Sequence, residues 1–165
     1  MVLAPIALMA YPGFCSVQRG ACVKRLLLVE DQPNDVRAAA GVAEALGIEN
    51  VQACNSAHSA LASLEKGLRG ESPLPDGIVL DLDLGLESGY ELLRFWHGSP
   101  ALHHIPVIVW SVVEMQREVC ELFKVNSFVS KWEGIGAFRD ALGQLISTST
   151  TDPSARSSTA SAGSA

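Results

Sequence analysis

Residues 76–96 read DGIVLDLDLGLESGYELLRFW. The segment opens on an apolar Gly-Ile-Val-Leu run, ends that run on Asp81, crosses a loop punctuated by Gly85 and Gly89, and then sets Tyr90, Leu93 and Trp96 at helical spacing. A short continuous apolar run bounded by turn residues reads as a strand buried on both faces, and a period of about 3.6 residues directly after it reads as an amphipathic helix. A strand feeding a helix in this way is the first half of a βαβ unit, the connection that parallel strands require.

The same alternation continues in both directions. RLLLVE (25–30) and PVIVW (106–110) are further apolar runs of strand length, and ENVQAC (49–54) and SFVS (127–130) are shorter candidates. Pro33 suits a first helical turn, with Asp35 close behind, and Val36, Ala39, Ala40, Ala43 and Leu46 share a face before Gly47 stops the helix. A second helix opens at Ser56 and aligns Ala57, Ala60, Leu61, Leu64 and Leu68. Met115, Val119, Leu122 and Phe123 mark a fourth, and Ile135, Phe138, Leu142 and Leu145 a fifth. Five strands alternating with five helices predict an α/β domain over residues 24–146, built as a doubly wound five-stranded parallel sheet.

Composition agrees with one such domain and narrows its class. The chain has 165 residues, 48% of them apolar and 18% charged, which suits a protein with a real core and excludes wholesale disorder. Twelve basic against 18 acidic side chains give a net charge of −6 with no basic cluster, so nucleic acid is not the expected partner. The four cysteines (Cys15, Cys22, Cys54, Cys120) lack zinc-site spacing and disulfide density, so free thiols in a reducing, cytoplasmic setting are expected. Residues 1–23 form an N-terminal extension, uncharged through residue 18 and interrupted by Pro5, Pro12 and Gly13. It lacks the basic start of a signal peptide and is too short to span a membrane, so a poorly ordered extension is expected there, ahead of a packing arm or a targeting segment. Residues 147–165 contain 15 Ser, Thr or Ala among 19, a composition that predicts a disordered tail.

Ligands of open parallel sheets bind outside the carboxyl ends of the strands, at the point where strand order reverses. The predicted strands deliver Glu30 and Asp31, Asp81, Ser111 and Lys131 to that edge. With a strand order of 2-1-3-4-5 the first and third strands are neighbours and three carboxylates converge. Two such charges about 4 Å apart repel by roughly 4 kcal/mol at an effective dielectric near 20, so a cation is required. Mg²⁺ suits a site of one or two carboxylates, a carbonyl and waters. Lys131 and Ser111 add a compact positive charge and a hydroxyl, and the set describes a site that binds a phosphoryl group, with a carboxylate nucleophile forming an aspartyl phosphate.

LLLVEDQPND, IVLDLDLGLESGYELL, PVIVWS and NSFVSK together resemble the receiver domain of two-component response regulators, over about three quarters of the chain. Asp81 precedes Gly89 by eight residues and Ser111 by thirty, and Phe128 precedes Lys131 by three, as in that family. VEDQPND and HIPVIVWS look most like stand-alone receivers, including those paired with bacterial phytochrome kinases. The resemblance implies a flavodoxin-like receiver fold and a signalling protein, rather than an enzyme, that assists its own phosphorylation and dephosphorylation. It implies that Asp81 accepts a phosphoryl group from a histidine kinase or phosphotransfer protein. Asp31 and Asp81 would ligate Mg²⁺ through carboxylates and Asp83 through its carbonyl, with Glu30 holding a metal-bound water. Lys131 would pair with the phosphoryl group, Ser111 would shift toward it and Phe128 would turn inward as the switch aromatic. The face formed by the fourth helix, fifth strand and fifth helix would serve a homodimer, with no role for nucleic acid or membrane.

The sequence departs from the family at Trp132, where most receivers have proline after the lysine, at Gly85, where proline is common, and at Val112, where a very small residue is usual. The twenty residues from Ser111 to Lys131 imply a shortened fourth helix or flanking loops. Three other readings use the same residues. A degenerate receiver would act as a phosphorylation-independent binding module, but every key position is filled. A haloacid-dehalogenase-like phosphatase would use Asp81, Asp83, Ser111 and Lys131, yet has only Glu133 and Asp140 left for its last acidic pair and no use for Glu30 and Asp31. A topoisomerase-primase metal site would need a basic groove. The chain length after residue 146 leaves no room for an output domain, so signalling by partner exchange or onward phosphate relay is expected.

Overall fold

In the computed structural model, residues 23–113 and 116–148 are described. The N-terminal extension up to residue 22, with Cys15 and Cys22, and the tail from residue 149 lie outside them, as does Met115. The elements are β1 (Arg25–Val29), α1 (Pro33–Ala45), β2 (Asn50–Cys54), α2 (Ala57–Leu68), β3 (Gly77–Leu80), β4 (Asp83–Leu84), β5 (Glu87–Ser88), α3 (Tyr90–Gly98), β6 (Val107–Ser111), α4 (Arg117–Phe123), β7 (Ser127–Ser130) and α5 (Gly134–Thr148). Five strands form one parallel sheet in the order β2-β1-β3-β6-β7, the doubly wound arrangement of the flavodoxin-like receiver fold.

The apolar runs are continuous because each strand buries both faces. Leu27, Val29, Ile78, Leu80, Val107 and Val109 face α2, α3 and α4 through Ala60, Leu64, Leu93, Trp96 and Cys120. Leu26, Leu28, Val79, Ile108 and Trp110 face α1 and α5 through Ala39, Ala43, Phe138 and Leu142. Trp110 stacks on Phe138 with ring centroids 4.6 Å apart, joining the sheet to α5. Val23, at the boundary of the predicted extension, is buried in this second layer.

Local signals fix the helix ends. Pro33 occupies the first turn of α1, and Gly47, at φ 83°, takes the left-handed conformation that lets the chain leave it. Ser56 caps α2 by accepting from the Ser59 N–H at 3.1 Å. The fourth helix has seven residues, short as the Ser111 to Lys131 spacing predicts. Its buried face is only partly the expected one: Phe123 packs against the core and Val119 is half-buried, but Leu122 is 77% exposed and Cys120 is buried. Two residues along a helix are about 200° apart around its axis, so a helix centred on Cys120 turns Leu122 to solvent. Ile135, in the first turn of α5, is also exposed. The small antiparallel hairpin of β4 and β5 has no counterpart among the elements read from the sequence, and Gly85 makes its turn at φ 68°, a conformation closed to the proline common there in receivers.

Asp76 ties the start of β1 to the start of β3. Its Oδ2 accepts from the backbone N–H groups of Lys24 at 3.0 Å and Arg25 at 2.9 Å, and its Oδ1 from the Arg25 guanidinium at 3.1 Å. Partial burial works against ionisation, but these donors outweigh it and hold the carboxyl below its ordinary value of 3.8. A depressed folded pKa contributes stability above the ordinary value that is lost as pH falls through the folded one. Asp76→Asn is therefore expected to cost about 1 kcal/mol at pH 7, the value of a charge-assisted bond discounted for exposure. In urea titrations the difference should shrink as pH falls below 3.8 and through the depressed folded value, where the wild-type carboxyl protonates; a difference that does not change with pH would show that the charge contributes nothing.

Candidate functional site

Parallel register brings the chemical groups to one edge. Val29 is level with Leu80, and Leu80 with Val109, so Glu30, Asp81 and Ser111 emerge together at the carboxyl ends of β1, β3 and β6. Ser111 pairs with Ser130 at the end of β7, and Lys131 follows one residue on. The structure thus gathers four of the predicted site positions, and Asp31 joins them from the β1–α1 loop.

Lys131 is the centre of the cluster. Its ammonium donates to Glu30 Oε2 at 2.6 Å, to Asp81 Oδ2 at 2.7 Å and to Asp35 Oδ2 at 2.7 Å, and it lies 5.0 Å from the ring centroid of Trp110. Burial alone would lower its pKa, but hydrogen bonds to Asp35, Asp81 and Glu30 raise it, so the lysine stays charged. Burial raises the pKa of Glu30 despite the opposing pull of Lys131 and of the Gln32 N–H, which donates to Glu30 Oε1 at 3.0 Å. Asp81 is 3% exposed, and its second oxygen accepts from the Asp83 N–H at 3.0 Å.

Asp35 and Trp110 carry no mark in the sequence that assigns them to this site. Asp35 reads as an ordinary acidic residue of a first helical turn, and only the reach of the Lys131 side chain toward the start of α1 brings the two together across 96 residues. Trp110 reads as a strand residue, and its ring forms the floor beneath the ammonium.

One ammonium faces four carboxylates, Glu30, Asp31, Asp35 and Asp81, a deficit of positive charge. Oxygens of Glu30, Asp31 and Asp81 all lie within 4.8 Å of one another, and Asp31 Oδ1 is buried without a hydrogen-bond partner. Hard oxygen donors in this number, one of them unsatisfied, fit a divalent cation. Gly85 contributes by leaving room: a Cβ there would sit 3.3 Å from Asp31 Oδ2. Asp83 is exposed and not among the clustered carboxylates.

Ser111 Oγ is fully buried and has no hydrogen-bond partner, as an acceptor-seeking hydroxyl at the mouth of a phosphoryl site would be. Phe128 is half-buried against the α3 and α4 layer, and the Arg117 guanidinium lies 4.8 Å over its ring. The peptide bond joining Lys131 to Trp132 is trans. The acids that a phosphatase would need are elsewhere, with Glu133 paired to Arg117 at 3.9 Å and Asp140 exposed on α5. Cys54 and Cys120 are buried free thiols, and burial pushes the Cys120 thiol up to about 11. No helix among the described residues is long and apolar enough to cross a membrane.

No protein-family profile matches the chain, and no curated protein sequence does. Solved structures do, and they are response-regulator receiver domains. The chain is similar to the phosphorylated cyanobacterial phytochrome response regulator RcpA, with 27% identity and a TM-score of 0.66 over 79% of this chain and 99% of that one. It is similar to the Mn²⁺-bound response regulator Rcp1, with 27% identity and a TM-score of 0.63 over 77% and 94%. It is also similar to the bacteriophytochrome response regulator RtBRR, with 29% identity and a TM-score of 0.64 over 74% and 78%.

Proposed function

We propose that this chain is a single-domain response regulator of a two-component phosphorelay, in which Asp81 takes a phosphoryl group from a histidine kinase or phosphotransfer protein and the phosphorylated form signals by changing partners. The observation that carries the reading is the Lys131 ammonium held between Asp81 and Glu30, beside the unsatisfied Asp31 oxygen, at the switch-point edge of a receiver fold. The likeness to the phytochrome response regulator RcpA and to Rcp1 supports the response-regulator reading, and an intracellular kinase partner implies a cytoplasmic protein.

In the transfer an Asp81 oxygen forms a bond to phosphorus as the P–N bond of the donor phosphohistidine breaks. The bonding pair leaves with the imidazole nitrogen, and the proton on the other ring nitrogen of the phosphohistidine leaves the imidazole neutral. Lys131, already within hydrogen-bond reach of Asp81, follows the charge onto the phosphoryl oxygens, and Ser111 Oγ donates the hydrogen bond it now lacks. Asp31 and Asp81, with the Asp83 carbonyl and with Glu30 behind them, would hold Mg²⁺. That ion, when bound, neutralises charge on the phosphoryl oxygens. Hydrolysis reverses the change, with water attacking phosphorus, the P–O bond breaking and the Asp81 carboxylate returning. Phe128 turning inward would uncover the ring that Arg117 now caps and alter the face of α4, β7 and α5, the face proposed for a homodimer.

Incubation with Mg²⁺ and a phosphorylated histidine kinase should add one acid-stable, base-labile phosphate, and Asp81→Asn should abolish it. Label that persists in the variant would mean that another side chain is the acceptor. Label absent from wild type as well would favour the phosphorylation-independent binding module.

A further inference from the structure

The hydrogen-bonded ladder between β6 and β7 ends at Ser111 and Ser130. The two groups that would grip a phosphoryl oxygen stand at that end: Ser111 is the last residue of its strand, and Lys131 lies one residue beyond its own. Beyond the ladder the indole Nε1–H of Trp132 donates to the Val112 carbonyl at 3.0 Å, joining the residue after Ser111 to the residue after Lys131. The segment on the lysine side is itself anchored, since Ser130 Oγ accepts from the Trp132 N–H at 3.3 Å and caps the turn over Lys131–Glu133. On the serine side the chain runs on to α4, where the Arg117 to Glu133 ion pair is a longer and solvent-exposed second tie between the same two segments.

Trp132 is 79% exposed, so its ring buries little apolar surface and is not held in place by core packing. An indole in that position contributes to the structure chiefly through the one polar bond it makes. Ser111 Oγ, one residue from the carbonyl that accepts this bond, is fully buried and unpartnered. No side-chain bond of its own holds it, so its place relative to Lys131 is set by the backbone, through the last β6–β7 pair at Ser111 and Ser130 and, one residue beyond it, the indole tie.

We infer that Trp132 is a positioning residue for phosphoryl transfer to Asp81, acting through the Val112 carbonyl to hold Ser111 at a fixed separation from Lys131. The inference rests on the reading of Asp81 as phosphoacceptor and adds a residue at which this chain departs from the receiver pattern. Preorganised donors act on the charge developing in transfer, so loosening one lowers the maximal rate and leaves ground-state binding unchanged.

The test uses the full chain, Mg²⁺ and phosphoramidate, whose P–N bond breaks with the pair leaving on nitrogen as ammonia while the Asp81 oxygen bonds to phosphorus. Trp132→Phe keeps an aromatic ring and removes the donor. It should lower the saturating rate by roughly 3- to 10-fold, what one net hydrogen bond is worth, with half-saturating Mg²⁺ and phosphoramidate unchanged and the melting temperature lowered by no more than the loss of that one bond. In a Ser111→Ala background the same substitution should have no further effect, because the group it positions is gone. A Trp132→Phe rate equal to wild type, or a loss of the same size with and without Ser111, overturns the inference while leaving the phosphoacceptor reading intact. A wild type that takes no phosphate from phosphoramidate or from a phosphorylated kinase overturns both.

Discussion

Lys131→Met should cost about 3 kcal/mol of stability at neutral pH without divalent metal, the scale of breaking a buried ion pair by removing one partner. The Lys131 side chain is 10% exposed and its ammonium is shared by Glu30 and Asp81, whose side chains are 1% and 4% exposed, so solvent does little to screen what remains. Methionine fills the stem volume but leaves two buried carboxylates facing each other and Asp31. Two responses are open to them, and both are measurable. Lowering the pH should restore part of the stability, because Glu30, whose pKa burial already raises, takes up a proton. In sign, a folded carboxyl with a raised pKa favours the fold below its ordinary value, and that contribution is lost as pH rises through the folded value. Adding Mg²⁺ should restore stability as well, by a larger shift in melting temperature than in wild type, since the variant cluster carries one more uncompensated negative charge. Phosphorylation should be lost, because the positive charge at the phosphoryl oxygens is gone. A variant as stable as wild type in metal-free buffer, or an Mg²⁺ shift no larger than wild type's, would show that Lys131 does not neutralise this cluster.

Why so much of this site was legible in the sequence, and some of it not, follows from the geometry of the sheet. A strand buried on both faces has no polar position until it ends, so a polar residue closing an apolar run marks the sheet edge. Glu30, Asp81 and Ser111 could be found that way, and Lys131 from SFVS just before it. Parallel pairing then requires those ends to lie together, as the register shows. Contacts made by elements crossing that edge carry no such mark. Asp35 meets Lys131 only because α1 starts at the end of β1 and the lysine side chain extends to it from beyond β7, and no local pattern reports a contact across 96 residues. The β4–β5 hairpin has two residues in each strand, below any readable period. In α4 the apolar stripe is right at Phe123 and wrong at Leu122, because seven residues give too few turns to tell it from one that runs through Cys120 and Phe123. The Trp132 tie is a side chain bonding to a backbone carbonyl, which leaves no trace in the identity of Val112.

Gly89→Ala should be the most damaging single methyl addition in α3 and the clearest link between fold and site. Gly89 has an ordinary helical φ of −60°, so its lack of a side chain is not needed for backbone freedom. It is needed for space. A Cβ there would collide with the Asp81 carbonyl oxygen, lie 2.9 Å from the Leu82 Cα and 3.1 Å from the Leu80 Cδ1. Two of those three atoms are backbone and cannot rotate away. The Gly89 N–H also donates to the Leu82 carbonyl at 3.1 Å, so the start of α3 rests directly on the chain that leaves β3 with Asp81. A methyl group must push that chain or the helix aside, at a cost of about 3 kcal/mol, the upper part of the usual range for overpacking. The chain that moves carries Asp81, so Mg²⁺ affinity and phosphorylation should fall along with stability. Gly98, at the other end of the same helix, has nothing within 4 Å of the place a methyl group would take. Gly98→Ala should stabilise the protein by up to about 1 kcal/mol, through the backbone entropy that alanine removes from the unfolded chain. The same substitution in one helix thus carries opposite signs, which urea titration of the two variants reads directly. Equal effects would mean that α3 does not press on the Asp81 segment and that the site is positioned from its strands alone.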